Sequence, residues 1–283
     1  MNGRGVPSTF IVHHSYFIAM AFAPLPFRAL RRSGREMPPV LWELGEGKEP
    51  EPGVLRELSR IGATWAYLPD ESADGRVAAF VGELKLILGI PADSLQARRG
   101  GVVLDRLSAL GLSRCEGVML RDVSAGEIKA GGPFHRLSQL RDKGTIDLFF
   151  AEAQDYATGE WLLHHTPAHA ILLPFSLRDL TAKYRLLRDA VGFGTGVIAR
   201  PGAQLAWDAP PIDLATDVAF LAAEEAVTSI LLPLPGDAGE LAQIVEALQS
   251  PMPEERRARW WQEFQRRVPE PPPPPRGVAP DFA

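Results

Sequence analysis

The residues able to do chemistry fall at a few places in the chain. Tyr67 lies near the end of the strand-like run Ala63-Thr64-Trp65-Ala66-Tyr67-Leu68, and Arg121 follows Val118-Met119-Leu120, so each lies at a strand end. A phenol can give a proton to a developing alkoxide and a guanidinium can polarise a carbonyl, which makes the pair a candidate acid and electrophilic partner. The plainer reading of a strand-end tyrosine is packing. Asp70 and Glu71 follow Tyr67 in the chain and read as solvated or helix-capping carboxylates. His164, His165 and His169 invite a metal, but Pro167 interrupts the helix that would align His165 with His169. A polar loop without metal is expected there. Gly192-Phe193-Gly194-Thr195-Gly196 has dinucleotide-loop spacing, yet it precedes a strand, whereas that fingerprint must follow one and open a helix. A helix-to-strand turn is expected instead.

The elements that hold these residues alternate. Pro24 to Gly45 reads as a hairpin, with Phe27-Arg28-Ala29-Leu30, a turn at Ser33-Gly34-Arg35, and Val40 to Leu44 as the second arm. Helical spacing over Val54 to Ile61 stops at Gly62 and gives way to the strand ending at Leu68. The unit recurs as helix Val102 to Leu110 with strand Gly117 to Leu120, then helix Phe134 to Lys143 with strand Thr145 to Phe150. Strand Ala170 to Phe175, helix Arg178 to Val191 and strand Thr195 to Ala199 follow. Helix Leu214 to Ala222, strand Val227 to Leu232 and helix Ala238 to Leu248 complete the series. Apolar strands separated by amphipathic helices predict a parallel sheet, and their number predicts closure into a (β/α)8 TIM barrel, an α/β fold.

The ends differ in kind. Residues 1–23 form an expected N-terminal extension, 24–268 the barrel, and 269–283 a Pro-rich tail. Glu254 to Arg267 is helical in pattern and carries Trp260-Trp261 among arginines. One tryptophan is expected to pack on the barrel. Six prolines around Glu270 then exclude helix and central strand. The apolar stretch from Phe10 to Phe27 is broken by His13, His14 and two prolines, so no membrane span is expected. Arg4 and Ala19-Met20-Ala21 only imitate a signal peptide, and Met20 is an alternative start. A net charge of -5 leaves no broad cationic surface for nucleic acid. With Cys115 as the one cysteine, an intrachain disulfide is impossible, and a reducing cytoplasm is expected.

Several runs in order resemble the aldo-keto reductases. Pro26 to Gly34 is similar to the family's opening hairpin, and Leu104-Asp105-Arg106-Leu107-Ser108-Ala109-Leu110-Gly111 to the helix before the strand with the catalytic histidine. Leu137 to Gly144, Ile171 to Leu177 and Gly194 to Pro201 resemble later family segments. Asp217 to Leu221, Val227 to Pro233 and Glu240 to Leu248 follow the family's closing helix, strand and helix. The resemblance implies an NAD(P)H-dependent barrel in which a tyrosine, activated by a lysine and an aspartate, protonates a carbonyl that a histidine orients.

Carried over place by place, the pattern is not kept. The aspartate's place falls on Tyr67, the tyrosine's on Ser72, and the histidine's on Arg121. The lysine is expected near the end of Leu86 to Pro91, where the only lysine close by is Lys85. Phe175 stands where the family stacks a tyrosine on nicotinamide, and phenylalanine keeps that aromatic face. At the adenine-phosphate place, Pro233 to Glu240 offers no cation and two acids, so NADPH is expected to bind poorly. Asp237 reads best as a helix cap, at an N-terminus whose amides are otherwise suited to a pyrophosphate.

The expectation is therefore a catalytically impaired aldo-keto-reductase-like barrel that binds a small ligand or nucleotide, or a protein partner, at a mouth lined by Tyr67, Arg121 and Phe175. One alternative is a working NAD(P)H-dependent oxidoreductase of aldehydes or ketones with relocated catalytic residues. Another is an interaction module using the C-terminal helix and tail.

Overall fold

The computed structural model describes residues 22–45, 50–70, 78, 80–98, 100–123, 132–202 and 212–271. Most of the expected N-terminal extension, the tail beyond residue 271, and Glu71 and Ser72 lie outside the described residues. Eight parallel strands close into a barrel in chain order: β3 (Val40–Glu43), β4 (Trp65–Leu68), β5 (Lys85–Pro91), β6 (Cys115–Arg121), β7 (Ile146–Glu152), β8 (Ala170–Pro174), β9 (Gly196–Arg200) and β10 (Val227–Pro233). β10 pairs with β3, Leu231 opposite Leu41, and so closes the ring. The fold class is the (β/α)8 barrel expected from the alternation.

The middles of the barrel strands are mostly apolar because both faces are covered. Leu41, Tyr67, Ile87, Met119, Phe150 and Ile198 point inward and fill the barrel. Their neighbours Trp42, Leu68, Leu88, Leu120 and Ala151 point outward into the layer beneath the helices. Those helices are α1 (Pro52–Ile61), α2 (Ala92–Ala97), α3 (Gly101–Ala109), α4 (Pro133–Asp142), α5 (Tyr156–His165), α6 (Leu186–Phe193), α7 (Leu214–Ala223), α8 (Ala238–Gln249) and α9 (Glu254–Arg267). Gly62 ends α1 in the left-handed region at φ 78, where its amide reaches the last helical carbonyls.

A hairpin of β1 (Arg28–Leu30) and β2 (Arg35–Met37) plugs the N-terminal end of the barrel. Leu30 and Met37 belong to the inner core, and Leu30 lies against Gly196 at the start of β9. Two arginines fasten the plug to helix C-termini. Arg28 donates to the carbonyls of Ala222 in the last turn of α7, Glu224 just past it, and Val227 at the start of β10. Arg32 donates to Thr166 at 2.9 Å and Ala168 at 3.0 Å after α5. Cations there satisfy carbonyls that the helices leave unpaired.

The structure corrects three boundaries. The second hairpin arm is Arg35–Met37, and Val40–Glu43 is instead the first barrel strand, because Pro38 and Pro39 separate two short extended runs. The helix expected from Arg178 begins only at Leu186, since Ser176 and Asp179 bridge each other and a 3-10 turn spans Thr181–Lys183. The polar loop expected around the histidines is shorter, because His164 and His165 end a helix, Tyr156–His165, capped by the Asp155 side chain, which accepts from Thr158 N–H at 2.7 Å. The Gly192–Gly196 run joins α6 to β9, as its context predicts. Among the described residues, no helix is long and apolar enough to cross a membrane.

Candidate functional site

Because side chains alternate along a strand, the inward set can be followed two residues further toward each C-terminal end. Past Leu41 comes Glu43, past Met119 Arg121, past Phe150 Glu152, and past Ile198 Arg200. These four charged ends meet beside Tyr67 at the mouth of the barrel, the end where barrels of this kind carry their sites. Arg200 Nη1 donates to Glu152 Oε1 at 2.6 Å, and Arg200 Nη2 to Glu43 Oε1 at 3.4 Å. Arg121 Nε faces Glu152 Oε2 at 3.5 Å, while its Nη1 donates to the Pro69 carbonyl at 2.8 Å. Tyr67 donates its hydroxyl proton to Glu152 Oε2 at 3.4 Å.

Glu152 is the hub and is 5% exposed, whereas Arg121, Arg200 and Glu43 are about one-third exposed, at 29%, 30% and 31%. Burial pushes the Tyr67 phenol well above its ordinary value, and the Glu152 carboxylate adds to the shift against Arg121 and Arg200. Burial also raises Glu43, opposed by the Arg200 guanidinium. For Arg200, burial is outweighed by Glu152, Glu43 and Tyr67, and its charge is held more firmly than usual. Asp122, directly after Arg121, takes φ 55, so the chain turns away sharply from the rim.

Tyr67 and Arg121 are thus brought together, through a shared carboxylate. Lys85 begins β5, and six residues at ~3.3 Å rise put it about 20 Å from the Pro91 end. There its ammonium lies 5.8 Å over the Trp65 ring. On the mouth side of β5 the inward residue is Gly89, where any β-carbon would meet the Pro69 carbonyl oxygen at 2.5 Å and the Tyr67 hydroxyl at 2.9 Å. Asp70 is exposed and its carbonyl accepts from Arg106 at 2.8 Å.

Phe175 does not reach the mouth. Its ring is fully buried beneath the helices, 5.8 Å from Phe220 of α7. Next to it, the buried Asp217 of α7 accepts from the Leu177 amide at 2.8 Å, and burial pushes its carboxyl up to about 6. Asp237 caps α8, accepting from Gly239 N–H at 2.8 Å and Glu240 N–H at 3.0 Å, while Glu240 accepts from Gly236 N–H at 2.8 Å.

The three histidines take separate partners. His164 meets Phe193 edge-on, His165 stacks on Trp161, and His169 is buried against Phe149. Among the described residues, no group of three His, Cys, Asp or Glu could hold a metal. In α9, Trp261 packs on Tyr184 and Phe264, and both tryptophans are partly buried against the core.

Glu43, Glu152 and Arg200 were not singled out in the sequence. Glu43 and Arg200 are each the single charge ending an otherwise apolar strand, and Glu152 ends the apolar run Leu148-Phe149-Phe150-Ala151. At the C-terminal end of a barrel strand that pattern is a site signal.

An eight-stranded parallel barrel with a hairpin under its base and a charged rim belongs to the (β/α)8 class. Among solved structures the chain is similar to the aldo-keto reductase AKR11C1 of Bacillus halodurans in apo form, with TM-score 0.66 and 13% identity over 84% of this chain and 95% of that one. Its holo form gives 0.66 and 13% over 84% and 96%. The thermostable aldo-keto reductase Tm1743, solved with the inhibitor epalrestat, gives 0.66 and 14% over 83% and 98%. The chain therefore has the aldo-keto reductase fold. No family model and no curated protein matches it.

Proposed function

We propose that this chain is an aldo-keto-reductase-like barrel that does not reduce carbonyls and instead holds a small polar ligand at its mouth. The observation that carries the reading is the contact of Tyr67 with Glu152. A phenol that must release its proton needs a cation beside it to stabilise the phenolate. Here burial, and after it the Glu152 carboxylate that receives the hydroxyl, raise the phenol's affinity for its proton.

The residues present do not fit a nicotinamide dinucleotide. The amides that open α8, which suit a phosphate in principle, already donate to Asp237 and Glu240, and both carboxylates repel one. Phe175, in the place expected to stack on the nicotinamide, has no exposed face. A cytoplasmic location agrees with a chain whose lone cysteine, Cys115, is a buried thiol.

NADPH titration followed by nucleotide fluorescence, with turnover of a generic aldehyde, tests the reading. No enhancement and no turnover are expected. Saturable enhancement with turnover that Tyr67→Phe abolishes would sink it, in favour of an active reductase with Tyr67 as acid and Arg121 polarising the carbonyl.

A further inference from the structure

The rim network leaves two valences unspent, and they are opposite in sign. Glu152 is saturated: Oε1 receives Arg200, and Oε2 faces both Tyr67 and Arg121. Arg200 divides its two terminal nitrogens between Glu152 and Glu43. That leaves Glu43 Oε2 and Arg121 Nη2, neither with a hydrogen-bond partner among the described residues. Arg121 Nε is buried against Glu152 Oε2 and is closed to a ligand.

The two side chains are each about one-third exposed, at 31% for Glu43 and 29% for Arg121, so both can reach a ligand. They come from β3 and β6 and are joined through the Arg200–Glu152 pair.

We propose that the mouth binds a small zwitterion of the α-amino acid type, with its ammonium on Glu43 and its carboxylate on Arg121. This rests on the ligand-binding reading above and names the class of ligand. Charge balance favours it over either half alone. Among the described residues the network holds two guanidiniums and two carboxylates and is neutral when all are ionised, so a monoanion or a monocation leaves a net charge in a partly desolvated site. A zwitterion adds none. It also supplies an acceptor to Arg121 Nη2, the one nitrogen of that guanidinium left open.

Calorimetric titration of the full chain tests this with L-leucine and L-alanine. Each is compared with its amide, which lacks the carboxylate, and with the matching 2-hydroxy acid, which lacks the ammonium. The amino acid should bind at least tenfold more tightly than both analogues. Glu43→Gln and Arg121→Gln should each remove that preference, and Arg121→Lys should keep the fold, checked by circular dichroism, while weakening the carboxylate contact. A hydroxy acid or amide that binds as tightly as its amino acid, with binding still lost in Arg121→Gln, overturns the zwitterion and leaves the mouth as a ligand site. If neither amino acid binds, the zwitterion is overturned. NADPH-dependent turnover overturns the ligand-binding reading itself, and is scored separately.

Discussion

The hydroxyl of Tyr67 stands 2.9 Å from the point where a β-carbon of residue 89 would be built, so glycine at position 89 and a large phenol at position 67 are one arrangement. The space on β5 that a side chain would take at the mouth is filled from the neighbouring strand β4, where Tyr67 pairs with Ile87. A nearby proton-tuning lysine has no room there.

Gly89→Ala should therefore destabilise the protein by about 1–3 kcal/mol, the usual cost of overpacking, because the nearest atoms are backbone of Pro69 and cannot swing aside. Urea denaturation measures it. A neutral result would mean that the β4 end yields easily.

Tyr67 should resist ionisation. Its phenol is buried beside Glu152 and held above the ordinary tyrosine value. The ultraviolet difference titration of wild type minus Tyr67→Phe should stay flat through pH ~10, where a free phenol is half ionised. A phenolate signal below that pH would place a stabilising cation at the hydroxyl and contradict the geometry.

Glu152→Ala should be among the costliest single changes. It leaves Arg200 and Arg121 without their shared anion and the Tyr67 hydroxyl without its acceptor. Removing one partner of a buried ion pair costs about 3–5 kcal/mol, and Glu152→Gln should cost less because it keeps an acceptor. A loss under ~1 kcal/mol for the alanine variant would show the rim to be screened by water, as surface pairs are.

Asp217 gives a pH signature. Burial raises its carboxyl from 3.8 to about 6, so between those values the folded protein keeps a proton that the unfolded chain has released. Its contribution to stability therefore falls as pH rises through that window and stays low above it. Asp217→Asn can still accept from Leu177 N–H, and should be more stable than wild type at pH 7 by up to ~3 kcal/mol, with the two converging near pH 4. Thermal unfolding across pH 4–8 decides this; an asparagine variant less stable at pH 7 would contradict it.

The barrel was legible because its signal repeats: apolar strands, amphipathic helices and glycine stops such as Gly62 recur along the chain. The position of Arg121 at a strand end was legible for the same reason. What escaped was whatever depends on neighbours distant in sequence. Glu152 and Arg200 look like ordinary strand-end charges until the inward face of β7 and β9 is known, and that face depends on register. Phe175 was misjudged because one residue beyond β8 decides between the mouth and the outer layer. The helix Tyr156–His165 escaped because its apolar stripe is weak and two histidines end it.

The rim has a consequence for assembly. Glu43 and Arg121 come from the first four barrel strands, Glu152 and Arg200 from the last four, and two of their contacts, Glu43 with Arg200 and Arg121 with Glu152, join the two sets. In the described structure the carboxylate that Arg121 faces and the guanidinium that Glu43 accepts from both come from the other half. The charges at the top thus act as a clasp that rewards the complete ring over either part, and a strand shifted by a single residue would turn its charged end outward and leave the clasp open.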